Sequence, residues 1–344
     1  MSSVAPHPLV IGHRGAPGYR PEHTESSYRL ACELGADAVE PDIIVTSDGV
    51  LVVRHENEIS ETTDVAAHPE FAARRTTKIV DGRRLTGWFV EDFTWAELAT
   101  LRCIERLPKI RPANREYDGA EPILRLRDVL GIVDEESARR GRGIGVVAEV
   151  KHADYFRALG FDIAALLQDE LRRCGWDDRV DRLVVECFEL GVLQRLRQAG
   201  LRAEYVFLME HDGAPADELA AERAGGSPAR PYAWYRTNEG LDFLRDEVHG
   251  VSFDKSDLIA VGAFGHAVAP TNLAERSRER GLLVFTWTLR PENRFLNPRY
   301  RSSARGAEWG DWQAEFALIL STGVDGIFVD HTDLGVSARA DSAF

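Results

Sequence analysis

Short apolar runs bounded by turn residues recur along this chain, at Leu9–Gly12, Ala38–Val45, Val50–Arg54, Gly145–Val150, Leu183–Phe188, Arg202–Leu208, Gly250–Phe253, Leu282–Leu289 and Gly326–Val329. They are apolar at nearly every position, the pattern of strands buried on both faces. Between many of them the apolar positions recur at helical spacing, over Thr24–Leu34, Leu126–Arg139, Asp154–Cys174, Glu189–Ala199, Asn272–Arg280 and Asp311–Ser321. Strands alternating with helices predict a parallel sheet with helical crossovers. There are more candidate strands than the eight of a closed α/β barrel. One connection stands apart. Thr46-Ser47-Asp48-Gly49 is too short for a helical crossover, and Asp-Gly is a hairpin signal. Val50–Arg54 is therefore expected to return antiparallel to Ala38–Val45 and to bring His55 back towards Glu40 and Asp42.

Three stretches break the rhythm. Residues 57–121 far exceed an ordinary connection, and their aromatics (Trp88, Phe89, Phe93, Trp95) predict a small folded helical cap. Residues 210–235 and 290–310 have the glycine, proline and arginine content of loops. All three follow predicted strands and fall on the side of a barrel where active sites occur. With no repeat and no linker, the expectation is one domain over 1–344 with an insertion at about 57–121.

Length and composition narrow the classes. A chain of 344 residues with 44% hydrophobic positions fills one large barrel, and no run approaches the roughly 18 apolar residues of a membrane span. Met1–Val10 carries no basic start and no apolar stretch, so no leader is expected. Cys32, Cys103, Cys174 and Cys187 show no metal or redox spacing and are expected to stay reduced. The expected location is cytoplasmic; a periplasmic or secreted one requires a start further upstream. A formal charge of −14 excludes a general nucleic-acid binder. It leaves room for a small anionic substrate at a local positive site.

The candidate chemistry sits inside the apolar runs. Isolated charges lose solvation on burial, so strands carry them only where a partner compensates. Glu40 and Asp42, two residues apart, share one face of a strand. A solvent-exposed edge is the bland explanation, but Val39, Ile43, Ile44 and Val45 argue against exposure. Paired carboxylates at low dielectric need a cation, and oxygen ligands favour Ca²⁺ or Mg²⁺ over zinc. Glu149, near the end of another strand, is a candidate third carboxylate. His13 and His55 each end an apolar run, a place often held by a structural histidine. Two of them near a carboxylate pair suit a general base and a general acid. Arg14 and Lys151 are cations for a phosphate, with structural salt bridges as their alternative role. Trp287 reads as core or barrel lining, with substrate contact as the other possibility. His68, His211, His249 and His266 have surface contexts, His23 is ambiguous, and Thr24 suits a helix cap. No dinucleotide-binding glycine pattern, serine nucleophile elbow or zinc-protease motif is present.

At His13-Arg14-Gly15, Pro21-Glu22-His23-Thr24, Glu40-Pro41-Asp42, Ser47-Asp48-Gly49, Val53-Arg54-His55, Thr62-Thr63, Glu149-Val150-Lys151 and Val324–Asp330 the chain resembles the glycerophosphodiester phosphodiesterases. The motifs stand in family order over nearly the whole chain, in a form similar to the bacterial periplasmic subgroup. The resemblance implies a distorted TIM (β/α)8 barrel of the phospholipase-C-like (PLC-like) phosphodiesterase type with a small helical insertion. It implies hydrolysis of a small glycerophosphodiester to sn-glycerol 3-phosphate and an alcohol with one divalent cation, Ca²⁺ or Mg²⁺. Carried over residue by residue, Glu40, Asp42 and Glu149 become metal ligands, His13 and His55 the acid/base pair, and Arg14 and Lys151 the phosphate holders. Glu56 replaces the family's usual aspartate, and Pro41, lacking an amide donor, alters local strand pairing. The headgroup, the choice of ion, the order of the histidines and the oligomeric state stay open. Two other readings are carried: a lysophospholipase-D-like enzyme with Trp88, Phe89 and Phe93 lining an acyl groove, and a non-catalytic phosphate-binding protein.

Overall fold

A computed structural model describes residues 8–342, so the first seven positions of the Met1–Val10 segment lie outside the described residues. Its strands are β1 (Leu9–His13), β2 (Ala38–Glu40), β3 (Asp42–Val45), β4 (Leu51–Val53), β5 (Thr76–Val80), β6 (Arg83–Gly87), β7 (Gly145–Val150), β8 (Leu183–Cys187), β9 (Glu204–Met209), β10 (Gly250–Asp254), β11 (Ile259–Val261), β12 (Ala267–Pro270), β13 (Leu283–Leu289) and β14 (Gly326–Val329). Counting β2 and β3 as one interrupted strand, eight parallel strands close a ring in the order β2–β1–β14–β13–β10–β9–β8–β7, and β7 pairs back onto β2 and β3. Helices flank the ring. This is the expected TIM-type barrel, and residues 8–342 fill it out as an α/β fold.

Side-chain alternation along each strand sorts the apolar residues into two layers. Leu9, Ile11, Ala38, Val147, Val184, Val206, Phe285 and Phe328 come from seven different strands and pack into one cluster. Only the barrel lumen brings them together. Their neighbours of opposite parity, among them Val10, Val39, Val146, Val185, Phe207, Val251, Val284 and Ile327, join the larger core between barrel and helices.

Pro41 divides β2 from β3, as its missing amide requires, but its carbonyl still accepts from the Glu149 amide at 3.0 Å, so the ladder to β7 continues. The Asp-Gly hairpin forms as expected. β4 pairs antiparallel with β3, Ile43 opposite Val53 and Val45 opposite Leu51. Gly49 takes φ +78° at the turn, where a glycine carries no Cβ penalty.

Elsewhere the pattern misled. Asp154–Cys174 is not one helix but two, Ala153–Ala158 and Ile163–Arg173, because Gly160 turns left-handed at φ +93° and Asp162 caps the second helix through the Ala165 amide. The stretch 210–235 contains helices Ala216–Arg223 and Tyr232–Tyr235. The segment 57–121 has less helix than expected. It consists of the β5–β6 hairpin, several 3-10 turns and the four-residue helix Trp95–Leu98. Phe71, Trp88 and Phe93 join the large core outside the barrel: Phe71 and Phe93 meet edge to face at 5.1 Å, and the Trp88 indole N–H donates to the Phe71 carbonyl. The four cysteines are unpaired. Among the described residues no helix is long and apolar enough to cross a membrane.

Candidate active site

The alternation that buries the lumen cluster continues to the C-terminal strand ends, where its character changes from apolar to charged. Ile11 is followed two residues on by His13, Ala38 by Glu40, Val147 by Glu149 and then Lys151, Val184 by Glu186, Phe285 by Trp287, and Phe328 by Asp330. Asp42 opens β3 opposite Glu149. The same parity that places a valine in the plug therefore places an ionisable group above it, at the barrel end where active sites lie.

Glu40, Asp42 and Glu149 each offer a carboxylate oxygen within 4.8 Å of the others, and all three are buried. Lys151 Nζ contacts Glu149 Oε1 at 2.5 Å and Asp42 Oδ1 at 3.4 Å. Arg14 Nε stands 3.1 Å from Asp42 Oδ2, and its Nη1 donates to Glu22 at 3.0 Å. Arg14 is in the left-handed region, φ 55°, held there by its own amide, which donates to Glu40 Oε2 at 2.9 Å. Burial pushes Glu149 up to about 8 despite Lys151. Burial and the charge of Asp42 also raise Glu40 well above the carboxylate range. Burial opposes ionisation of Asp42 too, yet Lys151, Arg14 and His55 hold it well below its ordinary value. Glu40 Oε1 is buried without a hydrogen-bond partner, and Asp42 Oδ1 has only the Lys151 ammonium at 3.4 Å. A hard divalent cation satisfies such an all-oxygen set, so these residues fit one.

Both histidines are anchored through Nδ1. His13 Nδ1 lies 2.7 Å from Asp330 Oδ1, whose other oxygen takes Arg111 at 2.7 Å and Arg290 at 2.5 Å. His55, returned by the hairpin, has its Nδ1 2.5 Å from Glu56 Oε1, and the preceding Arg54 amide donates to the Asp42 carbonyl at 3.0 Å. Burial and Arg14 lower His13 to about 4 against the opposing Asp330. Burial, Arg14 and Lys151 lower His55 to about 3. Each imidazole is thus neutral at pH 7, and with Nδ1–H donated to a carboxylate, Nε2 is left as the free acceptor.

Sequence reasoning missed several members. His23 is fully buried, with Nε2 2.9 Å from Asp42 Oδ2 and Nδ1 2.7 Å from the Tyr28 hydroxyl. Tyr28 lies on the helix Glu25–Glu33, capped as expected by Thr24, whose hydroxyl accepts from the Ser27 amide. Arg106, from the 57–121 segment, bridges Glu22 at 2.7 Å and Glu56 at 2.8 Å; burial resists ionisation of Glu22, but Arg106 and Arg14 keep it low. Arg290 joins His13, Arg14, Glu22, Arg106, Arg111 and Asp330 around one cleft. Glu186, in the run Leu183-Val184-Val185-Glu186-Cys187, carries the same signal as Glu40, a charge inside an apolar strand. Trp287 meets Phe188 edge to face at 5.6 Å, and Phe188 lies 5.4 Å from Lys151 Nζ, so it borders the site on the Lys151 side. Trp88, Phe89 and Phe93 are buried and so do not line an open acyl groove.

The glycerophosphoryl diester phosphodiesterase family matches residues 13–334. A glycerophosphodiester phosphodiesterase of Arabidopsis thaliana is 28% identical over 94% of this chain and 84% of its own length. The enzyme of the same name from Haemophilus influenzae is 29% identical over 55% of this chain and 52% of its length. Among solved structures, a putative glycerophosphoryl diester phosphodiesterase of Silicibacter pomeroyi superposes with a TM-score of 0.65 at 20% identity, covering 98% and 95% of the two chains. An Oleispira antarctica phosphodiesterase in complex with the product sn-glycerol-3-phosphate superposes with a TM-score of 0.58 at 17% identity, covering 97% of each.

Proposed function

This chain belongs to the glycerophosphoryl diester phosphodiesterase family and is a phosphoric diester hydrolase; from that premise we propose that it cleaves glycerophosphodiesters to sn-glycerol 3-phosphate and an alcohol, with cation and histidine assistance. The observation that carries this reading is the cluster of lumen carboxylates with orphaned oxygens, set at the same barrel end as two carboxylate-anchored imidazoles.

Glu40, Asp42 and Glu149 would hold one divalent cation, Ca²⁺ or Mg²⁺. When bound, it neutralises charge on a phosphate oxygen and lowers the pKa of the attacking hydroxyl. Arg14 and Lys151 bind the phosphodiester anion, the first as a planar donor fork and the second as a point charge. Nε2 of His13 accepts the proton of the nucleophile, either water or the substrate's own glycerol hydroxyl; in the latter case the cyclic glycerol phosphate formed is opened by water in a second step to release glycerol 3-phosphate. Nε2 of His55 delivers a proton to the leaving alcohol. Burial, Arg14 and Lys151 keep His55 neutral in the free protein; an anionic phosphate beside the two cations offsets their charge, and His55 acts as the acid in the protonated fraction that substrate binding creates. Trp287 and Phe188 offer an apolar wall to the substrate's carbon skeleton. Neither a lysolipid substrate nor a non-catalytic binding role has an observation in its favour.

The test is a coupled assay for released glycerol 3-phosphate. His13→Ala and His55→Ala are each expected to lose at least about 100-fold in turnover with the fold intact by circular dichroism. Exhaustive chelation is expected to abolish turnover, and added Ca²⁺ or Mg²⁺ to restore it. Near wild-type activity in either variant rejects the acid/base pair, and full activity after chelation rejects the cation.

A further inference from the structure

A fourth carboxylate accompanies the three of the cation centre, and neither the fold nor the acid/base chemistry requires it. Glu186 on β8 stands beside Glu149 of β7 in parallel register, so both side chains face the lumen. It is 1% exposed, and its Oε2 has no hydrogen-bond partner. Among the described residues no lysine or arginine pairs with it. A buried carboxylate without a partner costs stability, and an amide or apolar side chain of similar size would fill the same space without that cost. The charges of the lumen explain its presence. Glu40, Asp42, Glu149 and Glu186 are four carboxylates, and the cations that reach them are Arg14 and Lys151. Fully ionised, the set would carry an excess of two negative charges, which one bound divalent cation would offset.

We propose that Glu186 is a fourth carboxylate of the divalent-cation centre and biases it toward Ca²⁺ over Mg²⁺. The inference rests on the cation reading above. Glu186 is not part of the group whose oxygens lie within 4.8 Å of one another, so it serves the ion from outside the triad, by its orphaned oxygen or through a bridging water. Groups in that position tune affinity substantially. Ca²⁺ takes six to eight oxygens in flexible geometry, whereas Mg²⁺ retains its waters and uses one or two carboxylates. An additional buried carboxylate therefore favours the larger ion.

The experiment is calorimetric titration of chelator-treated full-length protein with Ca²⁺ and, separately, with Mg²⁺, for wild type and Glu186→Gln, alongside thermal melts without metal. The Ca²⁺ Kd is expected to weaken about tenfold or more in the variant, and the Mg²⁺ Kd to weaken less. The metal-free Tm is expected to hold or rise, because the amide fills the same space and Glu186 Oε2 has no hydrogen bond to lose. A wild-type Ca²⁺ affinity in Glu186→Gln, equal weakening for both ions, or a lowered metal-free Tm overturns the proposal. If Glu186→Gln fails to fold, Glu186→Met supplies the same comparison. Wild-type protein that binds neither ion defeats the cation reading itself, a result distinct from intact binding that ignores position 186.

Discussion

At the scale of single residues, each ionisable group of the site has its position fixed by strand parity and its protonation state by burial and its neighbours. His13 and His55 share one device, an Nδ1 contact to a carboxylate, but their assigned roles differ and can be separated by substrate. A p-nitrophenyl ester of glycerol 3-phosphate has a leaving group that needs little protonation. His55→Ala should therefore recover most of its lost turnover on that ester, while His13→Ala should not. Recovery in His13→Ala alone would exchange the two roles. Asp330→Asn leaves His13 in place and removes the acceptor that fixes its tautomer, so kcat should fall about 100-fold with KM little changed. An unchanged kcat would show that Asp330 serves only Arg111 and Arg290. Glu40, Asp42 and Glu149 were legible in the sequence because a charge inside an apolar run demands an explanation. Glu186 carries the same mark, a charge inside an apolar strand. Arg106 was not legible, and Asp330 was seen only as the end of a motif and not as the partner of His13, because these contacts join residues far apart along the chain, 84 positions from Arg106 to Glu22 and 317 from Asp330 to His13.

At the scale of elements, the hairpin joining β3 to β4 is the device that recruits His55. It is pinned by Thr46, whose hydroxyl accepts from the Val50 amide at 2.9 Å, and by Asp48, which accepts from the Trp95 amide at 2.9 Å. A Cβ at Gly49 would meet nothing nearer than the Leu166 side chain, at 4.0 Å. The penalty for a side chain there is therefore backbone strain rather than collision. Gly49→Val should cost at least about 1 kcal/mol in denaturant unfolding, and Gly49→Asn less, since asparagine tolerates the left-handed region. Equal costs for the two variants would mean that the turn relaxes. The hairpin was readable because Asp-Gly leaves few alternatives between two apolar runs. The division of Asp154–Cys174 into two helices was not, because helical periodicity continues across Gly160 while the backbone does not. The insertion was misread as helical because its aromatics indicate a core without indicating which elements build it.

At the scale of the whole molecule, the barrel's apolar lower half carries a charged upper rim. Buried histidines in that rim tie stability to pH. His331 is buried, edge-on to Tyr19 at 4.8 Å and to Trp309 at 5.2 Å. Burial, with Arg111 adding to it, lowers His331 from 6.5 to about 4, against Glu292, Asp330 and Asp333. Its folded value lies below its unfolded one, so its contribution is complete above pH 6.5 and is lost progressively as the pH falls towards 4. The loss is about 3 kcal/mol. His331→Gln should flatten the fall in unfolding free energy over that range, and an unchanged slope would remove His331 from the account. The barrel itself was legible, since parallel strands buried on both faces announce themselves as apolar runs.

The central claim concerns which bond is broken, and phosphorus NMR of glycerophosphocholine incubated with the protein and Ca²⁺ or Mg²⁺ reads that directly. The account predicts glycerol 3-phosphate as the phosphorus product with wild type, and none above background with His13→Ala. Phosphocholine as the product, or equal turnover by the variant, would contradict it.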